Sequence, residues 1–80
     1  MNREEVYDRL SSIFREVFDD ENIEVNDTTT ADDIEEWDSF EHINLIVAIE
    51  EEFGFKIPMG KTVTMKNVGE MVDLILRMGK

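Results

Sequence analysis

Apolar residues recur at helical spacing in three separate stretches of this chain. In the first, Val6, Leu10, Ile13, Phe14 and Val17 follow one another by threes and fours, behind an Asn2 and a Glu5 spaced as a capping box. This pattern predicts an amphipathic helix over residues 3–18. Ser11 and Ser12 fall inside it, where serine is tolerated and no function is assigned to them. In the last stretch, Asn67-Val68-Gly69-Glu70 is a second capping box, continued by Val68, Met71, Val72, Ile75, Leu76 and Met78. A helix is expected over residues 67–77, with Arg77 and Lys80 at the end where cations oppose the helix dipole.

The middle stretch carries two apolar stripes rather than one. Asp38 followed by Glu41 is an N-terminal capping signature, with one carboxylate to accept orphan amides and a second acid in the first turn. It opens a helix over residues 41–53 with Ser39 at its very start, and Gly54, which adopts the left-handed conformation readily, stops it. At about 100 degrees per residue, Leu45, Ile46, Ile49 and Phe53 share one arc. Phe40, Ile43 and Val47 share a second, next to Ser39 and flanked by Asn44, Glu50 and Glu51. Two arrangements fit: both stripes are buried in a small bundle, or one builds the core while the other, rimmed by acids, meets a partner.

Residues 19–36 are long for a helix connection, and Asn26-Asp27-Thr28-Thr29-Thr30 is rich in side chains that bond their own backbone in turns. An ordered loop is expected, pinned by Ile23, Val25, Ile34 and Trp37, with a helical turn at Asp32-Asp33-Ile34. After Gly54, Phe55, Ile57 and Met59 alternate with Lys56 and Pro58. A lone strand would have nothing to pair with, and Pro58 blocks a ladder bond, so a connector whose Ile57 plugs the core is expected. Gly60 and the β-branched Thr62, Val63 and Thr64 give residues 59–65 poor helix propensity.

Eighty residues without cysteine imply one small domain over residues 1–80, with no disulfide framework and no thiolate metal site. The first five residues lack an apolar signal core and the longest apolar run is residues 45–49, so the chain is read as soluble and cytoplasmic. The net charge of −12 is uneven: residues 16–55 hold fifteen acids and no Lys or Arg, whereas the two flanks hold eight basic and five acidic residues. Acid concentrated around Ser39 repels nucleic acid and anionic membrane and speeds encounter with basic protein surfaces. The plainer use of such a run is a solubilising face.

Ser39 is the residue on which chemistry converges. A helix start is electropositive and presents free backbone N–H groups, so phosphate on the Ser39 hydroxyl would be welcome there. Catalysis by the chain itself has little material. His42, the one histidine, stands three residues after Ser39, but a nucleophile and base also need an orienting group, an oxyanion hole and a substrate pocket. A hydrogen-bonded structural role at the edge of the core arc is expected for it. The acids of residues 19–24 lack the alternating ligands and glycine of a calcium loop, which leaves weak cation association at most and no assigned metal site.

The run Trp37-Asp38-Ser39-Phe40-Glu41-His42-Ile43-Asn44-Leu45-Ile46, followed by Glu50-Glu51-Glu52-Phe53-Gly54-Phe55-Lys56-Ile57-Pro58, resembles the acyl carrier proteins. Their signature is Asp-Ser-Leu, an apolar and acidic helix ending in Glu-Glu-x-Phe, then Ile-Pro. Phe40 stands for the usual Leu and keeps the position apolar. The resemblance spans nearly the whole chain and implies an all-α fold: a four-helix bundle with three main helices, one short third helix and a long first loop. It implies that Ser39 receives 4′-phosphopantetheine from coenzyme A, that Asp38 caps the helix and helps place the transferase complex, and that the terminal thiol holds the cargo. It also implies partner contact through Phe40, Ile43 and Val47, with Glu41, Glu50 and Glu51 steering basic surfaces. The expected partners are a phosphopantetheinyl transferase and the enzymes that load and transfer acyl groups, around a monomeric carrier. A cargo cavity is expected between the helices, lined from Leu45, Ile46, Ile49, Ile57, Val63, Met65 and Ile75 or their neighbours. Asn44, where housekeeping members usually have an acid, makes the segment look most like specialised carriers of secondary or surface-polysaccharide pathways. Two alternatives remain open: an aminoacyl or D-alanyl carrier, although the Gly-Gly-x-Ser approach of peptidyl carriers is absent, and an acidic interaction module that is never modified.

Self-repulsion among the acids should weaken the fold at low salt. Adding magnesium is therefore expected to raise the melting temperature, as checked by thermal melts at constant pH with and without the cation.

Overall fold

Helix starts in this chain are set by polar side chains that take amides the first turn leaves open. The computed structural model describes residues 2–62 and 65–78, apart from the side chain of Met59; Val63, Thr64 and Lys80, named above, lie outside them. Helix α1 runs over Arg3–Val17, with Asn2 Oδ1 accepting from the Glu5 N–H at 2.8 Å. Helix α2 runs over Ser39–Phe53, α3 over Met59–Thr62 and α4 over Val68–Met78. No strand occurs among the described residues, in agreement with the all-α expectation, and no helix among them is long and apolar enough to cross a membrane. The expected helical turn in the first loop is present as a 3-10 turn over Ala31–Asp33, which Asp33 secures by accepting from the Thr30 N–H at 2.9 Å.

Two helices end by left-handed residues of different kinds. Gly54, with φ of 78°, closes α2 as the sequence implies, its N–H donating to the Glu50 carbonyl at 2.9 Å. Helix α1 stops one residue short of expectation, because Asp19 takes φ of 52° and turns the chain away. The Asp19 N–H reaches back to the Glu16 carbonyl and the Asp20 N–H to the Arg15 carbonyl, the paired bonds of a Schellman ending. Aspartate tolerates that conformation better than most residues, though less well than glycine, so the stop carries no strong sequence signal.

Helix α1 packs on both α2 and α4, and its apolar face forms one side of the core. Val6, Leu10 and Phe14 are fully buried with Leu45 and Ile49 of α2 and with Val68, Val72 and Ile75 of α4. Ile57 is buried as the expected plug of the α2–α3 connector. Phe53 departs from expectation: it lies half-buried at the rim, against Phe55 and beneath the Arg9 guanidinium, because the stripe rotates off the core by the last turn of α2. Each large aliphatic moved from water into this core contributes roughly 1.5–3 kcal/mol.

The long loop is held by backbone as much as by side chains. Val25 and Ile34 are buried, Ile23 and Trp37 pack against the core, and Arg15 Nε donates to the Ile23 carbonyl at 2.8 Å. Between them, the buried Thr29 hydroxyl accepts from the Asn26 N–H, and the resulting turn presents two carbonyls to the start of α4. The Val68 N–H donates to Thr29 O at 2.8 Å, and the Gly69 N–H to Asp27 O at 3.2 Å. Asn67 Oδ1 takes the third open amide, that of Glu70, at 2.9 Å. Arg3 fastens the same corner, donating to Asp73 at 2.6 Å and Asp27 at 2.7 Å, while the Tyr7 hydroxyl also donates to Asp27. Burial, and then the bond to Asp27, push the Tyr7 hydroxyl up to about 12; the Tyr7 and Arg3 bonds hold the Asp27 carboxyl below its ordinary range.

This docking leaves no room for a side chain at residue 69. A Cβ there would stand 2.8 Å from the Asp27 carbonyl oxygen and 3.1 Å from its Cα, both backbone atoms. Gly69→Ala is expected to destabilise the fold by about 1–3 kcal/mol, since the loop must shift off α4; urea unfolding followed by circular dichroism measures the loss.

Candidate functional site

The start of α2 is built by what precedes it. Trp37, the last residue of the loop, packs edge-on against Phe14 at 5.2 Å between ring centroids and against Phe18 at 6.2 Å. Its Nε1 donates to His42 Nδ1 at 3.1 Å, with the two rings near-coplanar, 14° between planes and 6.0 Å between centroids. With Trp37 anchored, Asp38 falls at the helix cap: its Oδ1 accepts from the Glu41 N–H at 2.8 Å and its carbonyl from the His42 N–H at 2.8 Å. The second carboxylate oxygen of Asp38 has no hydrogen-bond partner among the described residues.

Ser39 follows as the first helical residue and is exposed. The first-turn amides of Ser39 and Phe40 have no acceptor among the described residues, because the Asp38 carboxylate has gone to the third. Two open N–H groups beside an exposed hydroxyl suit a phosphate ester. Ser39 also borders a cleft of about 620 Å³, whose lining includes Trp37, Asp38, His42, Ile43, Met65 and Lys66. The residues present therefore fit a phosphate-linked arm: a hydroxyl to hold it, amides for its charge and a mixed polar and apolar cleft for its length.

The second stripe of α2 faces outward. Phe40 is 73% exposed, Ile43 49% and Val47 48%, while Leu45, Ile46 and Ile49 are buried, so the two stripes have the divided roles that the sequence left open. The acids around the outward stripe differ in their freedom. Glu41 accepts from the Asn44 side chain at 2.8 Å. Glu50 turns inward and accepts from the Ile57 N–H at 2.7 Å, which ties the connector to α2. Glu51 is exposed and has no partner among the described residues, so its charge faces solvent whole. Glu52 meets Arg9 across the α1–α2 seam at 3.6 Å.

Among the described residues, the aliphatics of the expected cavity lining are packed together. Leu45 and Ile49 are fully buried, Ile75 nearly so, and they fill the core against α1. A void among large aliphatics loses contacts on every side, so the empty space collapses. Val63, from that same set, lies outside the described residues. Among the described residues, open volume includes the cleft beside Ser39 and a depression of about 410 Å³ lined by Ile43, Ile46, Val47, Glu50, Lys56, Ile57 and Pro58. Of the expected lining, Met65 joins the first and Ile46 and Ile57 the second. Lys66, Asn67 and Met71, which also line the first, were not legible as site residues because three separate segments converge there.

Residues 8–75 match the family described as the phosphopantetheine attachment site. The chain is 32% identical over 75 residues to an acyl carrier protein of Acidothermus cellulolyticus, covering 94% of this chain and 89% of the relative. It is likewise 32% identical over 77 residues to an acyl carrier protein of Thermosynechococcus vestitus, at 94% and 93% coverage. Among solved structures, the holo acyl carrier protein from Geobacter metallireducens, determined by solution NMR, is 44% identical with a TM-score of 0.83, covering 89% of this chain and 82% of that one.

His42 supplies a pH test of the geometry. Burial pushes its imidazole below the ordinary value of 6.5. The unfolded chain then binds a proton that the folded one resists, so His42's contribution to stability is complete above pH 6.5 and is lost as pH falls through the folded midpoint. Ring-proton NMR is expected to place that midpoint below 6.5, and the difference in urea stability between wild type and His42→Gln to change over the same window.

Proposed function

This chain belongs to the acyl carrier protein family, and from that premise we propose that Ser39 is the attachment point of its cofactor, the covalently bound 4′-phosphopantetheine. The exposed Ser39 hydroxyl beside two open amides is the observation that carries this reading. Ser39 Oγ attacks the pyrophosphate of coenzyme A, forming a new P–O ester bond as the pyrophosphate bridge breaks. Adenosine 3′,5′-bisphosphate leaves, and the serine proton passes to the transferase. Asp38 caps the helix with one oxygen and offers the other to the transferase complex. When bound, the group supplies a terminal thiol that holds acyl cargo as a thioester.

The chain acts as a carrier rather than as an enzyme in its own right. His42 Nδ1 is taken by the Trp37 indole, so a base role toward Ser39 through that nitrogen is closed. Phe40, Ile43 and Val47 form the apolar strip that partner enzymes cover, and the acids steer basic surfaces onto it. Glu51 does this most directly, with Glu41 beside it; Glu50 contributes its charge while holding the connector. The partners are a phosphopantetheinyl transferase and enzymes that load and receive acyl groups in fatty-acid, polyketide or surface-polysaccharide type biosynthesis. The carrier works as a cytoplasmic monomer of one domain.

Intact-mass measurement after incubation with coenzyme A, magnesium and a broad-specificity phosphopantetheinyl transferase tests the attachment. A gain of one phosphopantetheine group is expected in the wild type and none in Ser39→Ala. No gain in folded wild-type protein, beside a control carrier that the same transferase modifies, would make Ser39 a structural residue and the chain an unmodified acidic interaction module.

A further inference from the structure

His42 stands one helical turn after Ser39 and borders the same cleft. An indole N–H can only donate, so the contact from Trp37 Nε1 makes His42 Nδ1 an acceptor. The neutral ring then carries its proton on Nε2. Nε2 has no partner among the described residues, yet no fully buried side-chain nitrogen or oxygen among them is left unpaired; Nε2 therefore reaches solvent. The two rings lie side by side and near-coplanar, 14° between planes and 6.0 Å between centroids, as an in-plane N–H···N bond requires, and that bond orients the imidazole. An N–H donor whose tautomer is set by its neighbour thus stands one turn from the hydroxyl assigned to the arm.

We propose that Trp37 and His42 together position the arm: Trp37 holds the imidazole as its Nε2–H tautomer, and that N–H donates to a phosphodiester oxygen on Ser39. This rests on the reading of Ser39 as the attachment point. The Ser39 and Phe40 amides serve the phosphate from the helix end, and the imidazole draws it toward the cleft, away from the outward face of Phe40. His42 is here a positioning residue and takes no part in bond making. The charged groups around it are Asp38 and Glu41 at its own helix start and Lys66 from the α3–α4 connector. Proton uptake at Nδ1 breaks the Trp37 bond and leaves an imidazolium facing an anion, which makes the pairing measurable.

A phosphodiester keeps one negative charge throughout the range in which histidine titrates, about pH 5 to 8, so an inflection in its ³¹P shift reports a neighbour. In the holo protein, made with coenzyme A and the transferase, the ³¹P shift is expected to inflect at the His42 midpoint read from ring protons of the same sample. That midpoint is expected to lie above the apo protein's by about one pH unit, since the anion favours the imidazolium. His42→Gln should abolish the inflection and Lys66→Met should keep it. A flat ³¹P shift, an equal His42 midpoint in apo and holo protein, or loss of the inflection in Lys66→Met overturns the pairing while attachment stands. Absence of any phosphodiester resonance overturns the attachment itself, and the pairing with it. The wild-type apo and holo comparison needs no variant to fold.

Discussion

Trp37 is the residue on which the rest of this structure turns. It ends the long loop, lies against Phe14 and Phe18 of the α1 side of the core, and hydrogen-bonds His42 in the first turn of α2. Aromatic pairs of this kind contribute about 0.5–1.5 kcal/mol each beyond the area they bury. Their larger consequence is positional. With the indole fixed from both sides, the next residue has little freedom, and Asp38 arrives at the cap with its carboxylate on the third amide of the helix. Ser39 is then held at the exposed first position by the core beneath it.

The starts of α2 and α4 show how one backbone problem is solved in two ways. Every helix start leaves amides open. At α4 the loop supplies Thr29 and Asp27 carbonyls and Asn67 supplies its side chain, so the first three amides are satisfied and Gly69 must stay bare to permit the approach. At α2 a single carboxylate takes the third amide, and the first two, of Ser39 and Phe40, stay open. The first arrangement closes a structural corner. The second keeps a place for a charged group, which is what a carrier of this family needs.

Excess acid is the second constraint on the fold, and the arginines of α1 answer it at three acids. Arg3 joins Asp27 of the loop and Asp73 of α4, Arg9 reaches Glu52 of α2, and Arg15 binds a loop carbonyl. Cations drawn from one helix thereby fasten the segments packed around it. The acids left without a cation among the described residues include those of the first loop other than Asp27, and Glu41, Glu50 and Glu51 beside the outward stripe of α2. The division between cohesive and outward-facing charge follows from which acids α1 can reach.

The sequence by itself determined α1, α2 and α4, because helical periodicity, caps and the Gly54 stop act over a few neighbouring residues; α3 forms over Met59–Thr62 against a poor local propensity. It also determined the identity of the attachment candidate and the double stripe of α2, both written within one turn or one helix. The helix ends at Asp19, the rim position of Phe53 and the inward turn of Glu50 depended on packing partners distant in the chain. So did the location of open volume: the expected interior cavity lies where large aliphatics close up, whereas a cleft forms where the loop, α2 and the α3–α4 connector meet imperfectly. Only the tertiary structure could decide those points, since a side chain's hydrogen bonds and the space it leaves unfilled are properties of what packs against it.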